Sequence, residues 1–351
     1  MRVFTCQACG QLLYFENIRC ENCGHALGYL ADKQTISAIE PLTDGTFRAL
    51  AARGRYRFCQ NQEFGVCNWM VPVRSKSAFC AACRHNRTVP DLSVPENAGH
   101  WSKIEAAKHR LFYSLLKLKL PLRNRTDDPQ HGLAFDFLAD PPQTHGQSVM
   151  TGHDNGLITL AVKEADDAER EHVRAAMGEP YRTLLGHFRH EIGHYFWDVL
   201  VRDGGKLDGF RAIFGDESQD YAAALQAHYQ NGAPVDWQQN FVSSYASAHP
   251  WEDFAETWAH YLHIVDTLET AGAFGIRVRV KPGWRTKLTA AVDFAPYENP
   301  SIAALIDAWL PLTFAMNSLN RSMGQSDLYP FILSPNVIAK LRYVHDLVHG
   351  S

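Results

Sequence analysis

The clearest pattern of apolar and polar positions lies between residues 180 and 200. Apolar side chains recur there at spacings of three and four, which is the periodicity of one buried helix face. They are Leu184, Leu185, Phe188, Ile192, Tyr195, Phe196 and Val199. Pro180 suits the first helical turn, because proline has no N–H to leave unpaired. We therefore predict a helix over 180–200 that ends at Asp203, Gly204 and Gly205.

A second apolar stripe follows Pro250, which is typical of a helix start. Its members are Phe254, Trp258, Tyr261, Leu262 and Val265. Further helices are predicted over 101–120, 220–230 and most of 300–349. In the first of these, basic residues such as Lys108 are expected on a solvated face.

Strands are fewer and shorter. Asn155 and Gly156 form a hairpin turn signal between two short apolar runs, and residues 133–137 are typical of one more strand. Residues 25–55 contain few apolar clusters and are interpreted as a linker with short elements. The pattern predicts an α+β fold, mostly helical, with a short sheet before the helix at 180–200.

The length of 351 residues allows one large domain and a small one, and 46% apolar residues support a sizeable core. Charge is unevenly distributed. Residues 1–125 carry 18 Lys and Arg against 9 Asp and Glu, a net charge of +9, whereas the rest carries −13. This asymmetry suggests two functions, although the overall charge of −4 excludes neither protein nor nucleic-acid partners.

The N-terminus has no apolar signal segment, and no apolar run approaches 18 residues. We therefore expect a cytoplasmic protein without a membrane partner. Eight cysteines in a reducing compartment need an explanation other than disulfides, and metal binding is one.

The cysteines fall into two groups of four. The first group has two C-x-x-C pairs with ten residues between them, each followed by glycine, which is typical of a Cys₄ zinc ribbon. Its ligands are Cys6, Cys9, Cys20 and Cys23. The second group is less regular, because only its last two members form C-x-x-C. Its predicted ligands are Cys59, Cys67, Cys80 and Cys83. Neither group offers an open position or a base, so both zinc sites are predicted to be structural.

The predicted helix at 180–200 carries the motif H-E-x-x-H, with His190 and His194 on one face because they are four residues apart. Two imidazoles at that separation can hold one zinc ion. Glu191 is turned about 100° round the helix, from where it can serve as general base to a zinc-bound water. A chance match is the alternative, and a third ligand would argue against it.

The third ligand is expected on the second helix. Glu252 and Glu256 are four apart, so one carboxylate can bind zinc while the other accepts the free ring N–H of a ligating histidine. We favour Glu252 as the ligand. The alternative ligands are Glu256, Asp253 and His260. A further alternative is an exposed acidic first turn stabilised by the helix dipole.

This pair of segments resembles gluzincin metallopeptidases, in particular the lethal-factor-like branch with E-x-x-A-E on the second helix. The resemblance implies zinc ligation by His190, His194 and Glu252, and a supporting role for Glu256. It also implies that Tyr245, seven residues before Glu252, assists at the scissile carbonyl. The whole chain resembles a bacterial family of zinc-ribbon-bearing zinc metallopeptidases. The matching segments are Cys67–Trp69, Arg87–Leu92, Phe135–Asp140 and the two helices.

We thus expect a zinc peptidase with one catalytic and two structural zinc ions, acting on a peptide or protein. The predicted domains are a zinc ribbon (1–30), a second Cys₄ unit (31–95) and a metallopeptidase domain (96–351). Two rival functions remain: a nucleic-acid-binding or adaptor protein with an inert H-E-x-x-H zinc, and a peptidase acting on nucleic-acid-bound proteins. The basic N-terminal region could recruit nucleic acid or an acidic partner. We favour the hypothesis that residues 1–95 dock on the peptidase domain and restrict access to its zinc.

Overall fold

The computed structural model describes residues 1–140, 149–177, 183–280, 288–298 and 301–350. The chain divides into two compact units, Met1–Phe188 and Arg189–Ser351. Pro180, which the sequence placed in a first helical turn, lies outside the described residues.

The first unit begins with a hairpin of two short strands and continues as a closed five-stranded barrel. The strands of the hairpin are β1 (Phe4–Thr5) and β2 (Leu12–Leu13), and those of the barrel are β3 (Ala26–Leu30), β4 (Thr35–Pro41), β5 (Phe47–Ala49), β6 (Arg55–Phe58) and β7 (Trp69–Pro72). Neighbouring barrel strands are antiparallel, and the parallel pairing of β3 with β7 closes the barrel.

The barrel corrects the interpretation of residues 25–55 as a linker. Its interior contains Leu30, Ile39, Ala49, Tyr56 and Met70, all buried. The strands are only three to seven residues long, and each contributes one side chain to this cluster. Some of the strands, such as β3 and β7, are apolar, but all five are short, and the core forms only when they meet.

A four-stranded sheet and a long helix complete the first unit. The elements are β8 (Asn86–Thr88), α1 (Pro95–Lys117), β9 (Ala134–Leu138), β10 (Gly152–Asp154), β11 (Leu157–Ala161) and α2 (Asp167–Met177). The strand order is β10-β11-β9-β8. The predicted hairpin is confirmed, with Asn155 and Gly156 in the left-handed region at φ 46° and 81°. Because β8 pairs with β9, residues on both sides of position 95 share this sheet.

Helix α1 starts earlier than predicted, since Pro95 occupies its first turn. The expectation that Lys108 lies on a solvated face is wrong. Lys108 and Glu105 are both fully buried, and Nζ of Lys108 lies 2.8 Å from Oε1 of Glu105. Burying a charge is tolerated only when it is paired, and the expectation for Lys108 did not take its i, i+3 partner Glu105 into account.

The second unit is mostly helical. Its elements are α3 (Leu184–Phe196, which starts in the first unit), a π-helical turn (Trp197–Arg202), α4 (Leu207–Phe214), α5 (Tyr221–Asn231), α6 (Pro250–Ala273), β12 (Arg277–Arg279), β13 (Thr289–Ala291), α7 (Ile302–Ser322) and α8 (Pro335–His349). α6 is its central element: the apolar stripe predicted from Phe254 to Val265 is fully buried. The predicted α+β class, with a cysteine-rich module before a largely helical domain, is confirmed.

Helix α7 is long and apolar enough to cross a membrane by length and composition alone. The core helix of a globular unit meets the same criterion. Leu305, Trp309 and Leu312 of α7 are at most 2% exposed within the protein. These residues give α7 the buried face of a core helix.

Candidate metal centres

His190 and His194 lie on one face of α3, with ring centroids 4.9 Å apart. The apolar side of the helix is fixed against α6. Phe196 stacks on Trp258 at a centroid distance of 4.9 Å, and Ile192 is fully buried. The two imidazoles are therefore carried by an element that is held in place by packing.

Helix α6 positions Glu252 beside these rings. His249 caps its first turn, because Nδ1 of His249 accepts a hydrogen bond from the N–H of Trp251 at 3.1 Å. The two helices approach closely at Gly193. A Cβ at this position would lie 2.9 Å from the Cα of Ala255, closer than side chains normally approach backbone atoms. The glycine inside the H-E-x-x-H motif thus allows the third ligand to reach the histidines.

The three predicted ligands meet in space. Nε2 of His190 lies 3.0 Å from Oε2 of Glu252, and Nε2 of His194 lies 3.6 Å from Oε1. Ligand atoms around a tetrahedral zinc ion with bonds of 2.0–2.2 Å are about 3.3–3.6 Å apart. Two imidazole nitrogens and one carboxylate form a donor set that zinc accepts while one position stays open. These residues therefore fit a zinc ion.

The charge state of Glu252 also suits a metal ligand. Burial alone would raise the pKa of this carboxyl, which is only 1% exposed. The adjacent His194 and His190 imidazoles outweigh burial and hold its pKa well below the ordinary value. The carboxylate is thus kept ionised in a place where cations are favoured.

Glu256 lies behind His190 rather than among the ligands. Nδ1 of His190 donates a hydrogen bond to Oε1 of Glu256 at 2.7 Å, which leaves the Nε2 lone pair for a metal. The hydroxyl of Ser243 donates to the other carboxylate oxygen at 2.5 Å. Burial raises the pKa of Glu256, but His190 and Ser243 lower it to about 2. The supporting role of Glu256 that the resemblance implied stays a prediction, and Ser243 was not predicted.

Glu191 and Tyr245 lie close to the group formed by His190, His194 and Glu252. Glu191 is 9% exposed, and its charge is among the causes that raise the pKa of Tyr245. Burial is the largest of these causes, followed by the charge of Glu252. The Tyr245 ring lies 5.9 Å from that of His190. The Tyr245 hydroxyl therefore remains protonated, as a hydrogen-bond donor must.

Tyr221, the first residue of α5, was not predicted. Its hydroxyl donates a hydrogen bond to Oε1 of Glu252 at 2.6 Å. Burial and the charge of Glu252 raise the pKa of Tyr221 well above its ordinary value, so it too stays protonated. Tyr221 belongs to neither zinc motif, and nothing in its neighbourhood along the chain points to Glu252.

Two of the alternative ligands have other partners. Oδ2 of Asp253 lies 2.6 Å from Nζ of Lys340, and both side chains are buried. Nδ1 of His260 is hydrogen-bonded to the hydroxyl of Tyr329 at 2.7 Å. Neither side chain joins the group formed by His190, His194 and Glu252.

The first four cysteines form one cluster, with all sulfurs within 4.8 Å of one another. The sulfurs of Cys6 and Cys23 are 3.6 Å apart, as are those of Cys9 and Cys20. Gly10 and Gly24, which follow the two C-x-x-C pairs, have φ of 77° and 76°. This left-handed conformation costs glycine little, and it turns the chain sharply after each pair.

The second four cysteines also come together, in a buried cluster with the same limit of 4.8 Å. Backbone N–H groups donate to three of the sulfurs: that of Trp69 to Cys67, that of Cys80 to Cys59 and that of Cys83 to Cys80, at 3.3–3.4 Å. His109 of α1 contacts this cluster as well, which the sequence did not predict. All eight cysteines of the chain are free thiols.

Comparison with known families agrees with this donor chemistry. Residues 97–347 match the family described as "Putative zinc-binding metallo-peptidase". The chain belongs to this family. Residues 3–94 match a zinc-ribbon domain, so the expected resemblance to a family of zinc-ribbon-bearing metallopeptidases is confirmed. As a member of the zinc-binding metallo-peptidase family, the protein binds zinc, with the cysteine clusters and the histidine–glutamate group as the donors that the structure offers.

Two related proteins match this chain over nearly its whole length. An uncharacterized protein of Mycobacterium tuberculosis and one of Mycobacterium bovis are each 42% identical over 349 residues. The matched region covers 99% of this chain and 95% of each relative. No solved structure matches this chain.

Proposed function

We propose that this protein hydrolyses peptide bonds with a zinc ion held by His190, His194 and Glu252. The observation that carries the proposal is the convergence of these three donors beside Glu191. A structural zinc ion is usually enclosed by four protein ligands, whereas this set supplies three. A fourth position is thus available to water or substrate.

Glu191 is the proposed general base. Zinc bound here would lower the pKa of a coordinated water from 15.7 to about 7 and polarise a carbonyl group. Glu191 would take a proton from the attacking water and then deliver it to the leaving amine. It is turned away from the ligand face of α3, so it can act without displacing a ligand.

The two tyrosines have separate proposed roles. The protonated Tyr245 hydroxyl would donate a hydrogen bond to the oxyanion that develops on the substrate carbonyl. Tyr221 would act as a positioning residue, because its hydrogen bond to Oε1 of Glu252 fixes the orientation of that carboxylate.

We further infer three zinc ions per chain, one at the proposed active centre and one at each cysteine cluster. Each cluster supplies four thiols within 4.8 Å, which is the donor count of a closed zinc site. Eight free thiols also suit a reducing compartment, so we propose a cytoplasmic location.

The rival function in nucleic-acid binding is less well supported by the barrel. Arg55 is paired with Asp44 at 2.8 Å, and Arg48 is paired with Glu40. Arg57 donates to the carbonyls of Ser75 and Ser77. Arg48 and Arg55 are exposed, but their carboxylate partners neutralise part of the basic charge of the barrel. We therefore propose that the partner of the chain is a peptide or protein. A steep dependence of nucleic-acid binding on salt concentration would contradict this.

Hydrolysis of a diverse peptide library by the full-length protein tests the proposed function. We expect cleavage by the zinc-loaded protein, loss after chelation and recovery when zinc is restored. His194→Ala should abolish cleavage, whereas His131→Ala, which changes an exposed loop histidine, should not. Cleavage that survives both chelation and His194→Ala would contradict the proposal.

A further inference from the structure

The second cysteine cluster contains one more donor than a zinc ion needs. Nε2 of His109 lies 3.4 Å from the sulfur of Cys67, 3.7 Å from that of Cys83 and 3.9 Å from that of Cys80. All four side chains are buried. His109 belongs to α1 and lies beyond residues 3–94, which match the zinc-ribbon domain.

These distances are those of a coordination shell. In a tetrahedral zinc site, bonds of 2.3 Å to sulfur and about 2.0 Å to nitrogen place ligand atoms about 3.5–3.8 Å apart. An atom at such distances from three sulfurs caps the triangle that they form. Cys59 lies within 4.8 Å of the same three sulfurs. Cys59 and His109 therefore both border the triangle formed by these three sulfurs.

The hydrogen bonding of His109 prepares its Nε2 for this role. Nδ1 lies 2.7 Å from the backbone carbonyl oxygen of Glu105, to which only a protonated Nδ1 can donate. A neutral ring then has its lone pair on Nε2, the atom that faces the sulfurs. Metal-bound histidines are commonly oriented by such a bond from their second nitrogen.

Burial of charge favours a neutral donor at this place. Four thiolates around zinc carry a net charge of −2, and the neighbouring pair of Lys108 and Glu105 cancels only itself. Replacing one thiolate with imidazole reduces the buried charge by one, and unpaired buried charge is costly. Cys59 nevertheless remains a competent ligand, because its sulfur accepts the N–H of Cys80 at 3.3 Å.

We propose that His109 is a fifth donor of the second zinc centre and can take the place of Cys59. Either Cys59 or His109 would complete a set of four donors with Cys67, Cys80 and Cys83. The centre would then retain its metal when the Cys59 thiol is lost. In that state the metal would also tie α1 to the cysteine-bearing loops of the first unit.

Chelator competition on the full-length protein tests this assignment, with the first cysteine cluster as internal reference. Cys59→Ser should hold zinc at the second centre within about tenfold of the wild-type affinity. His109→Asn, which keeps an N–H near Nδ1 and removes Nε2, should also retain zinc. The zinc affinity of the double variant should fall by more than about 100-fold, because even hydrogen-bond partners of metal ligands contribute 10–100-fold to metal affinity. Cys83→Ser is the matched control. It removes a thiol that belongs to both sets of four donors, so its zinc affinity should be as low as that of the double variant.

Cobalt substitution gives a readout that a folding defect would not imitate. Cys59→Ser loaded with Co²⁺ should show tetrahedral bands with three sulfur ligands and one nitrogen, and His109→Asn should show four sulfurs. Loss of zinc from Cys59→Ser equal to that from Cys83→Ser would overturn the proposal. So would retention of zinc by the double variant, or its loss from His109→Asn alone.

Discussion

The two cysteine clusters differ from the group formed by His190, His194 and Glu252, here called the histidine centre, in their donor atoms and in the groups that support those donors. In the second cluster, thiols are supported by backbone N–H groups, such as that of Trp69 to Cys67. At the histidine centre, the predicted ligands lie on two helices and are hydrogen-bonded by other side chains. Glu256 accepts a hydrogen bond from His190, and Tyr221 donates one to Glu252.

The number of donors also differs between the two kinds of site, and we proposed catalysis only at the histidine centre. Each cysteine cluster supplies four donors that can enclose a zinc ion, whereas the centre supplies three donors and a neighbouring carboxylate. The tyrosines with strongly raised pKa beside Glu252 lie at the centre as well. Substitutions that remove metal from one kind of site should therefore have different consequences from those at the other.

The largest effect is expected from Glu252→Ala. It removes the only carboxylate among the three ligands, so the protein should lose about one of three zinc ions and all measurable hydrolysis. Metal analysis and peptide cleavage on the same preparation test this. Full retention of zinc by the variant would show that Glu252 is not a ligand.

Cys6→Ser removes one thiol of the first cysteine cluster. It should also lose about one zinc ion, but from the first cluster, and it should keep cleavage of short peptides. If Cys6→Ser abolished that cleavage while the zinc at His190 was retained, the division between structural and catalytic metal would fail.

Tyr245→Phe should reduce kcat on the order of 10²-fold, the cost of one missing oxyanion donor, without loss of zinc. The fold should be unaffected, because only the hydroxyl is removed. An unchanged kcat would exclude Tyr245 from the reaction.

Gly193→Ala should weaken zinc binding at the centre and leave both cysteine clusters loaded. Its Cβ would press on the backbone of α6 at Ala255, and such overpacking costs about 1–3 kcal/mol. Denaturant unfolding and zinc titration measure the two effects. Gly99→Ala in α1 is the matched control, because a Cβ at that helical position meets no atom within 4 Å. An equal effect of both substitutions would show that the close approach of Gly193 to Ala255 does not determine zinc binding.

Tyr221→Phe should have the smallest effect, a loss of about tenfold in zinc affinity at the centre, as for other partners of metal ligands. The kcat of the zinc-saturated variant should change little. A large loss of kcat at saturating zinc would instead give Tyr221 a direct role in the reaction.

The sequence predicted what short-range patterns determine. Helical periodicity and the i, i+4 spacing placed His190 and His194 on one face, and the E-x-x-A-E spacing led to Glu252 and Glu256. The α+β class and the family are confirmed, while the catalytic roles stay predictions. What the sequence missed depends on contacts between distant positions. Tyr221 reaches Glu252 across 31 positions, and His109 reaches Cys67 across 42.

The barrel and the buried pair of Lys108 and Glu105 were missed for a related reason. The strands of the barrel are only three to seven residues long, which is too short for a periodic pattern that would identify their common core. Lys108 lies four positions after Ile104 and four before Phe112, on the apolar face of α1. Its charge led to the expectation of a solvated position, and pairing with Glu105 makes its burial possible. The division into domains at 30 and 95 stays a prediction, as does restricted access to the zinc.

The central claim is that Glu191 supplies the base for zinc-dependent peptide hydrolysis. Glu191→Gln tests it most directly, because the substitution preserves shape and removes only the ability to accept a proton. Zinc content, thermal unfolding and cleavage of the peptide library should be measured on matched preparations of variant and wild type. For Glu191→Gln we predict three zinc ions, an unchanged unfolding transition and loss of nearly all cleavage. Normal turnover by a variant that keeps its zinc would contradict the mechanism.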